Sequence, residues 1–356
     1  MLDIERDYYF CRFCHEGFSP IDIEIELLGE HKVTKDMADR ITYAGQVAMS
    51  FEKSAEILKK FTDVSVSESL IRTITEEIGQ KVFEQNLKQA KESFEKPEMA
   101  APEVLNKDKK EGVLYILTDG SHVNTINIDG KGSSWREMKL GLVFWDRDSI
   151  NRKDGKAIIT KKEYVTYFGE VGEFKKLLFD AAARAGYGKI REVVVIGDGA
   201  HWIWNMCEEV FPNAVQILDY FHMVENVSTF AKYLYPNDEI KIKGWTKEVV
   251  KKIEKYEIDE VLNELPDLKD ITLPVGVPNL KKYLENNRNR INYPLYKSKE
   301  FYVGSGAIES GNKLVIQQRM KQSGMRWSIS GGQYIASLRA KYTSNQWEKV
   351  RSVIGL

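Results

Sequence analysis

Two runs of hydrophobic residues, each followed by Asp-Gly, dominate the pattern along the chain. Residues 193–196 are four β-branched residues in a row (V-V-V-I), and Gly197-Asp198-Gly199 follows them. Residues 114–117 are also apolar, and Asp119-Gly120 comes shortly after them. Short continuous apolar runs are typical of strands that are buried on both faces. We therefore predict two buried strands that each end at an aspartate.

The surrounding pattern predicts the other elements of a mixed α/β sheet. Residues 123–128 are expected to form a hairpin partner of the Asp119 strand, with residues 129–132 (D-G-K-G) as a turn. Further strands are predicted at residues 135–145 and 214–218, and helices over residues 173–185 and from about residue 201. Successive strands followed by alternating helices and strands indicate a mixed sheet that is flanked by helices.

Residues 34–96 have helical periodicity. A short helix that begins near residue 54, a turn at residues 63–67 and a longer helix after it fit a helix-turn-helix motif. The second helix of such a motif enters the DNA major groove. Acidic residues outnumber Arg72 near the start of that helix, so structural packing explains the pattern equally well.

The helical pattern returns in the second half of the chain. Residues 223–303 are helical and charged, which predicts an all-α insertion into the sheet fold, and three helices follow Gly304-Ser305-Gly306. A polar stretch with prolines at residues 97–110 predicts a domain boundary. The predicted organisation is a partial zinc-ribbon-like segment (1–33), a helical DNA-binding region (34–96), the first part of a catalytic core (110–222), the all-α insertion (223–303) and the C-terminal helices of the core (304–356).

Composition narrows the class of protein. A chain of 356 residues can bury one large core or two to three smaller ones. No apolar run approaches the roughly 18–20 residues that a membrane helix needs. The charged start of the chain lacks the apolar stretch of a signal peptide, so we expect a cytoplasmic protein with no membrane partner. Three cysteines imply no disulfide framework.

The formal net charge of −1 hides a strong asymmetry. Residues 281–356 contain 14 lysines and arginines against 4 aspartates and glutamates, a net charge of +10. A basic block on an acidic remainder predicts a surface that faces a polyanion. The alternative is a solvated helical face without a partner.

Cys11-x-x-Cys14 lies in an aromatic stretch near the start of the sequence. A structural zinc ion needs four ligands, which usually come from two such pairs. Cys11 and Cys14 therefore supply half of a zinc site, and the spacings of His15 and His31 do not clearly complete it. We interpret the pair as part of a zinc ribbon whose first pair is absent.

Asp119 and Asp198 at two strand ends suit a divalent metal ion, which prefers hard oxygen ligands. Two-metal phosphodiester chemistry needs about three carboxylates that hold the ions roughly 3.5–4 Å apart. Glu309 is the best third candidate because it lies in the first turn of a helix after Gly304-Ser305-Gly306. The alternative for Asp198 alone is that it caps the following helix.

The chain resembles the DDE transposases of bacterial insertion sequences from about residue 8 to its C-terminus. The resemblance is carried by T-D-G-S-H-V and W-R-E-M-K-L-G, by G-D-G-A-H-W-I-W and I-L-D-Y-F-H, and by G-S-G-A-I-E-S-G-N-K with R-M-K-Q-S-G-M-R-W. The family implies an RNase H-like catalytic domain that an all-α insertion interrupts. By this resemblance Asp119, Asp198 and Glu309 are the catalytic, metal-binding triad, and the cofactor is Mg²⁺ or Mn²⁺.

Asp219 and His222 occupy the D-x-x-H position after the fifth strand, which is similar to a Mutator-like branch of these enzymes. Independently of that likeness, residues three apart share a helix face. His222 can then contact the scissile phosphate or a metal-bound water, while Asp219 fixes the tautomer of its ring. The alternative is that Asp219 caps a helix and His222 is a buried structural histidine.

Basic and aromatic residues near these motifs are candidates for DNA contact. Arg136 can hold a phosphate with support from Glu137, although a cross-strand salt bridge explains both residues equally well. Lys313 lies one turn after Glu309, where it meets a phosphate or pairs with that carboxylate. Trp327 either stacks on a base or packs in the core. The predicted DNA-binding residues are Arg136, Lys313, Arg319, Lys321, Arg326 and Trp327.

The resemblance implies an activity that cuts transposon ends and joins them to target DNA. Water attacks first and frees a 3′-hydroxyl, which then attacks the target. We expect double-stranded DNA as the partner, and a homo-oligomer because such enzymes act on paired ends. The alternative is a truncated or domesticated remnant that binds DNA without cutting it. The intact motifs around all three carboxylates favour the enzyme.

Overall fold

A five-stranded mixed sheet flanked by helices organises the α/β fold. The structure, a computed structural model, describes residues 7–21, 27–28, 31, 33–127, 131–151, 157–268 and 271–356. The strands are β1 (Tyr9–Phe10), β2 (Gly17–Phe18), β3 (Leu27–Leu28), β4 (Val33–Thr34), β5 (Lys110–Ile126), β6 (Ser133–Trp145), β7 (Ser149–Asn151), β8 (Ala157–Ile159), β9 (Glu163–Tyr167), β10 (Ile190–Gly197) and β11 (Val215–Leu218).

Helices account for more of the chain than strands do. They are α1 (Lys35–Val47), α2 (Phe51–Thr62), α3 (Glu68–Glu95), α4 (Pro97–Ala100), α5 (Val171–Ala185), α6 (His201–Val210), α7 (Tyr220–Leu234), α8 (Glu239–Glu254), α9 (Ile258–Glu264), α10 (Leu280–Asn286), α11 (Tyr293–Ser298), α12 (Gly306–Gly311), α13 (Gln318–Met320), α14 (Ile329–Thr343) and α15 (Trp347–Ile354). A π-helical segment, Asn312–Gln317, connects α12 to α13.

The central sheet has the strand order β11-β10-β5-β6-β9. β10 is parallel to both β5 and β11, and β6 is antiparallel to β9. The predicted V-V-V-I strand is confirmed as part of β10, and residues 193–196 are buried. Such burial on both faces explains why this strand has no alternation of polar and apolar residues.

The first strand of the sheet differs from its prediction. β5 continues through Asp119 to Ile126, so the predicted separate strand at 123–128 is wrong and Asp119 does not end its strand. Asp119 and Gly120 make no turn, because both lie within this strand. After β5, the N–H of Asn127 donates to the carbonyl of Gly132 (3.3 Å), and Gly132 has a φ of +77°. Residues 129 and 130 of the turn predicted at residues 129–132 lie outside the described residues.

The chain divides into two compact units, each assembled from separate stretches. The first unit comprises the described residues of Met1–Asn86, Val123–Arg136 and Leu314–Leu356; the second comprises those of Leu87–His122 and Glu137–Lys313. The predicted domain ranges stay a prediction.

The first unit has a helical core. Side-chain caps at Thr34, Ser50 and Ser67 begin α1, α2 and α3, which explains where the predicted helices start. Arg72 near the start of α3 donates to Glu76 of the same helix (2.9 Å). The helix-turn-helix role of this region stays a prediction. The core comprises Ala38, Ile41, Ala44, Leu58, Ile71, Ile74, Ile78, Val82, Leu338, Val350 and Ile354.

Two buried arginines hold the end of α1 in this unit. Arg319 donates from Nε to the carbonyl of Gly45 (3.0 Å), and Arg339 donates from Nη1 to the carbonyl of Gln46 (2.7 Å). The last carbonyls of a helix have no partner within the helix, so these guanidinium groups satisfy them. Burial lowers the pKa of both arginines to about 10.

The second unit contains the parallel strands and the helices that cover them. Gly141 of β6 lies where an added Cβ would come within 2.7 Å of Leu178 of α5, so this helix packs closely on the sheet. From residue 223 to 303 the described residues form helices and no strand, in agreement with the prediction. Among all the helices that the structure describes, none is both long and apolar enough to cross a membrane.

Candidate active site

Three aspartates lie at the same level of the three parallel strands, beside the carboxyl ends of β10 and β11. In the register of the sheet, Leu117 of β5 pairs with Ile196 of β10, so Asp119 and Asp198 are equivalent positions two residues further on. Gly197 pairs with Leu218 of β11, so Asp219 follows at the same level. Ligands of open α/β sheets bind beyond the carboxyl ends of the strands. Asp119 therefore lies beside Asp198, as we predicted, although β5 continues beyond Asp119.

Asp119 is half-buried and accepts two hydrogen bonds. Oδ1 accepts from the N–H of Gly120 (2.7 Å), and Oδ2 accepts from the side-chain amide of Asn312. Burial raises the pKa of Asp119, and the negative charges of Asp198 and Glu309 raise it further. The carboxylates of all three residues thus act on one another electrostatically.

Asp198 lies in the tight connection between β10 and α6. Its Oδ1 accepts from the N–H of Ala200 (2.8 Å), which fixes the carboxylate against the start of the helix. Gly199 between them has a φ of +102°, a conformation that L side chains rarely adopt. The helix-capping alternative and the functional prediction for Asp198 are therefore compatible, because a capping carboxylate here also faces Asp119.

Asp219 and His222 form a hydrogen-bonded pair at the start of α7. Asp219 is fully buried, and its Oδ1 accepts from the backbone N–H of His222 (2.7 Å) and lies 3.1 Å from Nδ1 of the ring. Burial alone would raise the pKa of Asp219, but the hydrogen bonds from the His222 side chain and backbone, and from Ser305, lower it.

The same pair determines the charge of His222. The hydrogen bond to Asp219 raises the pKa of His222 to about 9, burial opposes this shift, and the charges of Asp219, Asp198 and Asp119 support it. His222 is therefore an imidazolium at neutral pH, and Asp219 stabilises this cation rather than a neutral tautomer. The side chain keeps 32% of its surface exposed, so His222 is not the buried histidine of the alternative explanation.

Glu309 enters the site from α12. Its Oε1 accepts from the hydroxyl of Ser305 (2.8 Å), a buried residue that also lowers the pKa of Asp219. The single hydroxyl proton of Ser305 is donated to Glu309, while Oδ2 of Asp219 is buried and has no hydrogen-bond partner. Lys313 is exposed, and among the ion pairs of the described residues it is not paired with Glu309.

Asn312 is a site residue to which the sequence analysis gave no role. Its side-chain nitrogen donates to Asp119, while its Oδ1 is buried and has no hydrogen-bond partner. Asn312 begins the π-helical segment, and π-helical turns are often found at functional sites. Its position three residues after Glu309, on the same helix face, was the available sequence signal.

The side chains of Asp119, Asp198 and Glu309 have the oxygen atoms that a divalent cation prefers, but these atoms are not arranged as the ligands of a metal ion. The carboxylates of Asp119, Asp198 and Glu309 provide hard oxygens, and the negative charges of Asp198 and Glu309 raise the pKa of Asp119. Within the described part of the chain, however, no group of three His, Cys, Asp or Glu side chains is arranged to hold a metal ion. The carboxylates are held instead by protein donors: Asn312 on Asp119, Ala200 on Asp198 and Ser305 on Glu309.

Two of the predicted DNA-binding residues are buried, which corrects that prediction. Arg319 is 1% exposed and lies between the rings of Phe51 and Trp327, 4.5 Å and 5.0 Å from their centroids. Trp327 is 5% exposed, and its Nε1 donates to the carbonyl of Met320 (3.2 Å). A guanidinium and an indole whose polar atoms meet backbone carbonyls are core residues, so neither is available to DNA.

The other predicted DNA-binding residues keep accessible surface. Lys313, Lys321 and Arg326 are exposed. Arg136 is half-buried, and its Nε is buried without a hydrogen-bond partner. Glu137 forms an ion pair with Lys139 (2.7 Å), two residues further along the same strand.

Cys11 and Cys14 lie exposed on the turn between β1 and β2. The backbone N–H of Cys14 donates to Sγ of Cys11 (3.5 Å), and the backbone hydrogen bonds from Cys14 and Phe13 lower the pKa of the Cys11 thiol. A lowered thiol pKa favours the thiolate that binds metals. His31 donates to or accepts from Glu77 (2.8 Å), so it is engaged elsewhere, and zinc binding stays a prediction.

Comparison with known proteins gives one result at the level of the family. Residues 2–353 match the model of a family that is described as an uncharacterised protein family, UPF0236. No curated protein matches the chain.

Proposed function

Because the chain belongs to the uncharacterised family UPF0236, we propose its function from the site: it is a DDE transposase that cuts and joins DNA at the ends of an insertion sequence. The observation that carries this proposal is the cluster of Asp119, Asp198 and Glu309 beside the Asp219–His222 pair. These groups come from four separate elements of the second unit, and capping alone does not require them to face one another.

The order of the elements supports an RNase H-like core. Asp119 lies on the first strand of the sheet, Asp198 follows the fourth, and Glu309 lies on a helix after the helical residues 220–298. This is the order that the resemblance to DDE transposases implies. The five-stranded mixed sheet flanked by helices is compatible with the same assignment.

Asp119, Asp198 and Glu309 would hold Mg²⁺ or Mn²⁺. Divalent cations bound there supply Lewis-acid activation of the attacking oxygen and neutralise charge at the phosphate. With an ion bound, Asp119 would give up the amide of Asn312 and Glu309 would give up the hydroxyl of Ser305. The negative charges that now raise the pKa of Asp119 would favour a cation beside that carboxylate.

His222 acts on the phosphate as a cation. Its ring stays protonated at neutral pH and is oriented through Nδ1 by Asp219, so Nε2–H is the group that can meet a phosphate oxygen. A charge-assisted hydrogen bond to a phosphate is among the stronger single contacts available to a side chain. Ser305 and Asp219 keep this donor in place near Glu309.

Lys313, Lys321, Arg326 and Arg136 are proposed to bind the DNA backbone. Exposed basic residues of this kind contribute affinity that is independent of DNA sequence and sensitive to salt. We also propose a homo-oligomer, because the transposases that the chain resembles act on paired DNA ends.

The test is metal-dependent cleavage of DNA duplexes that carry the ends of the encoding element. Asp198→Asn removes the charge of the carboxylate and keeps an oxygen that can accept from Ala200. Glu209→Gln is the matched control, because Glu209 is exposed and pairs with Lys175 outside the site. We expect cleavage with Mg²⁺ or Mn²⁺ in wild type and Glu209→Gln, and a loss of at least about 10²-fold in Asp198→Asn with DNA binding retained.

A DNA-binding remnant is the second candidate, and one observation favours it. Each carboxylate is already satisfied by a protein donor, and the described residues form no ready metal site. Binding of the duplexes without cleavage, in wild type as in Asp198→Asn, would establish the remnant. Cleavage that persists in Asp198→Asn would contradict the catalytic assignment.

A further inference from the structure

Tyrosines of helices α10 and α11 contact backbone carbonyls near the carboxyl ends of β10 and β11. Tyr283 donates to the carbonyl of Asp198 (3.1 Å) and Tyr293 to that of Leu218 (3.1 Å). The hydroxyl of Tyr296 lies 3.1 Å from the carbonyl of Asn289 and 3.4 Å from that of Gln216. These contacts attach the helical residues 280–298 to the loops that carry Asp198 and Asp219. Of the three, only Tyr283 bonds to one of the carboxylate residues itself.

The ring of Tyr283 also closes directly over Gly199. A Cβ at Gly199 would lie 2.7 Å from Cε2 of the ring, which is closer than real Cβ atoms approach. The tyrosine thus contacts Asp198 through its hydroxyl and the next residue through its ring. A connection held from two sides in this way has little freedom to change its φ and ψ angles.

The hydroxyl of Tyr283 is itself held as a donor. Burial raises the pKa of Tyr283, so the hydroxyl keeps its proton throughout the working pH range, and Asn226 of α7 also hydrogen-bonds to it. At the end of α10, Asn287 is 1% exposed and donates to the carbonyl of Tyr283 (2.8 Å). Both neighbours keep the side chain in one position.

We infer that Tyr283 is a positioning residue for the Asp198 carboxylate. Tyr283 fixes the backbone of Asp198 at its carbonyl, and the Ala200 N–H fixes the carboxylate at Oδ1. One bond holds the backbone of Asp198 and the other holds its side chain. If the bond from Tyr283 is lost, the Asp198 carboxylate and its bond to Ala200 can shift. The consequence for metal binding rests on the proposed function, whereas the consequence for the loop does not.

The test compares Tyr283→Phe with Tyr296→Phe. Each substitution removes one hydroxyl that contacts a carbonyl near the strand ends, but Gln216 is not a carboxylate residue of the site. The first measurement is amide hydrogen exchange at Ala200, whose N–H donates to the Asp198 carboxylate and therefore reports its position directly. We expect exchange to be about fivefold faster in Tyr283→Phe and unchanged in Tyr296→Phe.

The second measurement is the dependence on Mn²⁺ concentration. Tyr283→Phe should need about fivefold more Mn²⁺ for half-maximal binding, measured by paramagnetic resonance, and high Mn²⁺ should restore the maximal cleavage rate. A general loss of stability would lower the midpoint of thermal unfolding instead, and would affect both variants.

The outcomes separate this inference from the proposed function. Faster exchange at Ala200 in Tyr283→Phe alone supports the positioning role even if wild type neither binds Mn²⁺ nor cuts DNA, which would refute only the proposed function. Equal exchange at Ala200 in wild type and both variants would overturn the inference, whatever the activity.

Discussion

At the scale of single residues, the environment of a side chain decides its charge. His222 and Asp219 stabilise each other's charged forms, and Asp119 is pushed towards its neutral form by burial and by its neighbours. Opposite shifts in adjacent groups are typical of functional sites. Here they place a cation among carboxylates.

The raised pKa of His222 predicts how stability changes with pH. Because the imidazole has a higher pKa in the folded state than its ordinary 6.5, its contribution is present in full below pH 6.5 and is lost as the pH rises through about 9. His222→Gln should therefore destabilise the protein more at pH 6 than at pH 10, measured by urea unfolding. The exposed His122→Gln should show no such difference, and an equal loss at both pH values for His222→Gln would contradict the assigned pKa.

Asn312→Asp tests the electrostatic balance around Asp119. The substitution replaces an amide donor by a fourth acidic group next to Asp119, Asp198 and Glu309. We expect the free energy of unfolding at pH 7 to fall by about 1–3 kcal/mol, less at pH 5, and to recover with Mn²⁺. Asn205→Asp on the exposed face of α6 is the control. Unchanged stability at pH 7 would show that the Asn312 amide does not matter to Asp119.

At the scale of elements, close packing and helix propensity oppose each other at glycines. Gly79 of α3 lies where an added Cβ would come within 2.7 Å of the Tyr334 carbonyl oxygen of α14, both in the first unit. Gly244 of α8 is exposed and has nothing within 4 Å of that position. Gly79 therefore allows α3 and α14 to approach each other closely, whereas Gly244 only lowers the helix propensity of α8.

Substitution of these two glycines by alanine should have opposite effects. Gly244→Ala gains helix propensity and should stabilise the protein by about 1 kcal/mol. Gly79→Ala must displace a backbone carbonyl and should destabilise it by about 1–3 kcal/mol in spite of the same propensity gain. Thermal or urea unfolding of the two variants measures the difference. Stabilisation by both substitutions would refute the close contact of α3 with α14.

The elements also show what could be predicted from sequence. The β10 strand was predictable because four β-branched residues are buried together. β9 was missed, because its five residues, E-Y-V-T-Y, contain no continuous apolar run. The false turn after Asp119 arose because Asp-Gly is a turn signal that a long strand can absorb when its glycine stays extended.

The site was predictable to the extent that it follows the strands. Asp119, Asp198 and Asp219 come after hydrophobic runs, so their common level follows from the order of parallel strands. Asn312 contacts Asp119, 193 residues away in sequence, and Tyr283 contacts Asp198, 85 residues away. A local sequence pattern does not predict contacts between residues so far apart. Arg319 was predicted to bind DNA because it is basic. The sequence does not show that its guanidinium group donates to the backbone carbonyl of Gly45 instead.

At the scale of the whole molecule, the distribution of charge matters more than its sum. The net charge of −1 conceals the basic residues 281–356, of which some, such as Lys313 and Arg326, are exposed and others, such as Arg319 and Arg339, are internal. Only the exposed ones can displace counterions from DNA. The surface that we propose to bind DNA therefore carries fewer basic residues than the count suggests.

The double variant Lys313→Ala/Arg326→Ala should weaken DNA binding uniformly across sequences. Each lost phosphate contact reduces the slope of log affinity against log salt by about 1, so we expect a reduction of about 2. Lys241→Ala/Lys247→Ala removes the same charge from exposed positions of α8 and serves as the control. Fluorescence anisotropy over a salt series measures both slopes. An equal reduction in the control would mean that net charge, not these positions, governs binding.

The discontinuous first unit has a consequence for biosynthesis. Its core joins Ile41 and Ile71 to Leu338, Val350 and Ile354, with the whole second unit encoded between them. During translation, α1 to α3 emerge with their apolar faces uncovered and must wait until residues 338–354 have left the ribosome. Contacts so distant in sequence form slowly, and exposed apolar surface in the interval invites aggregation. The second unit is thus able to fold while the first is still unfinished, and chaperones are most needed for the residues made earliest.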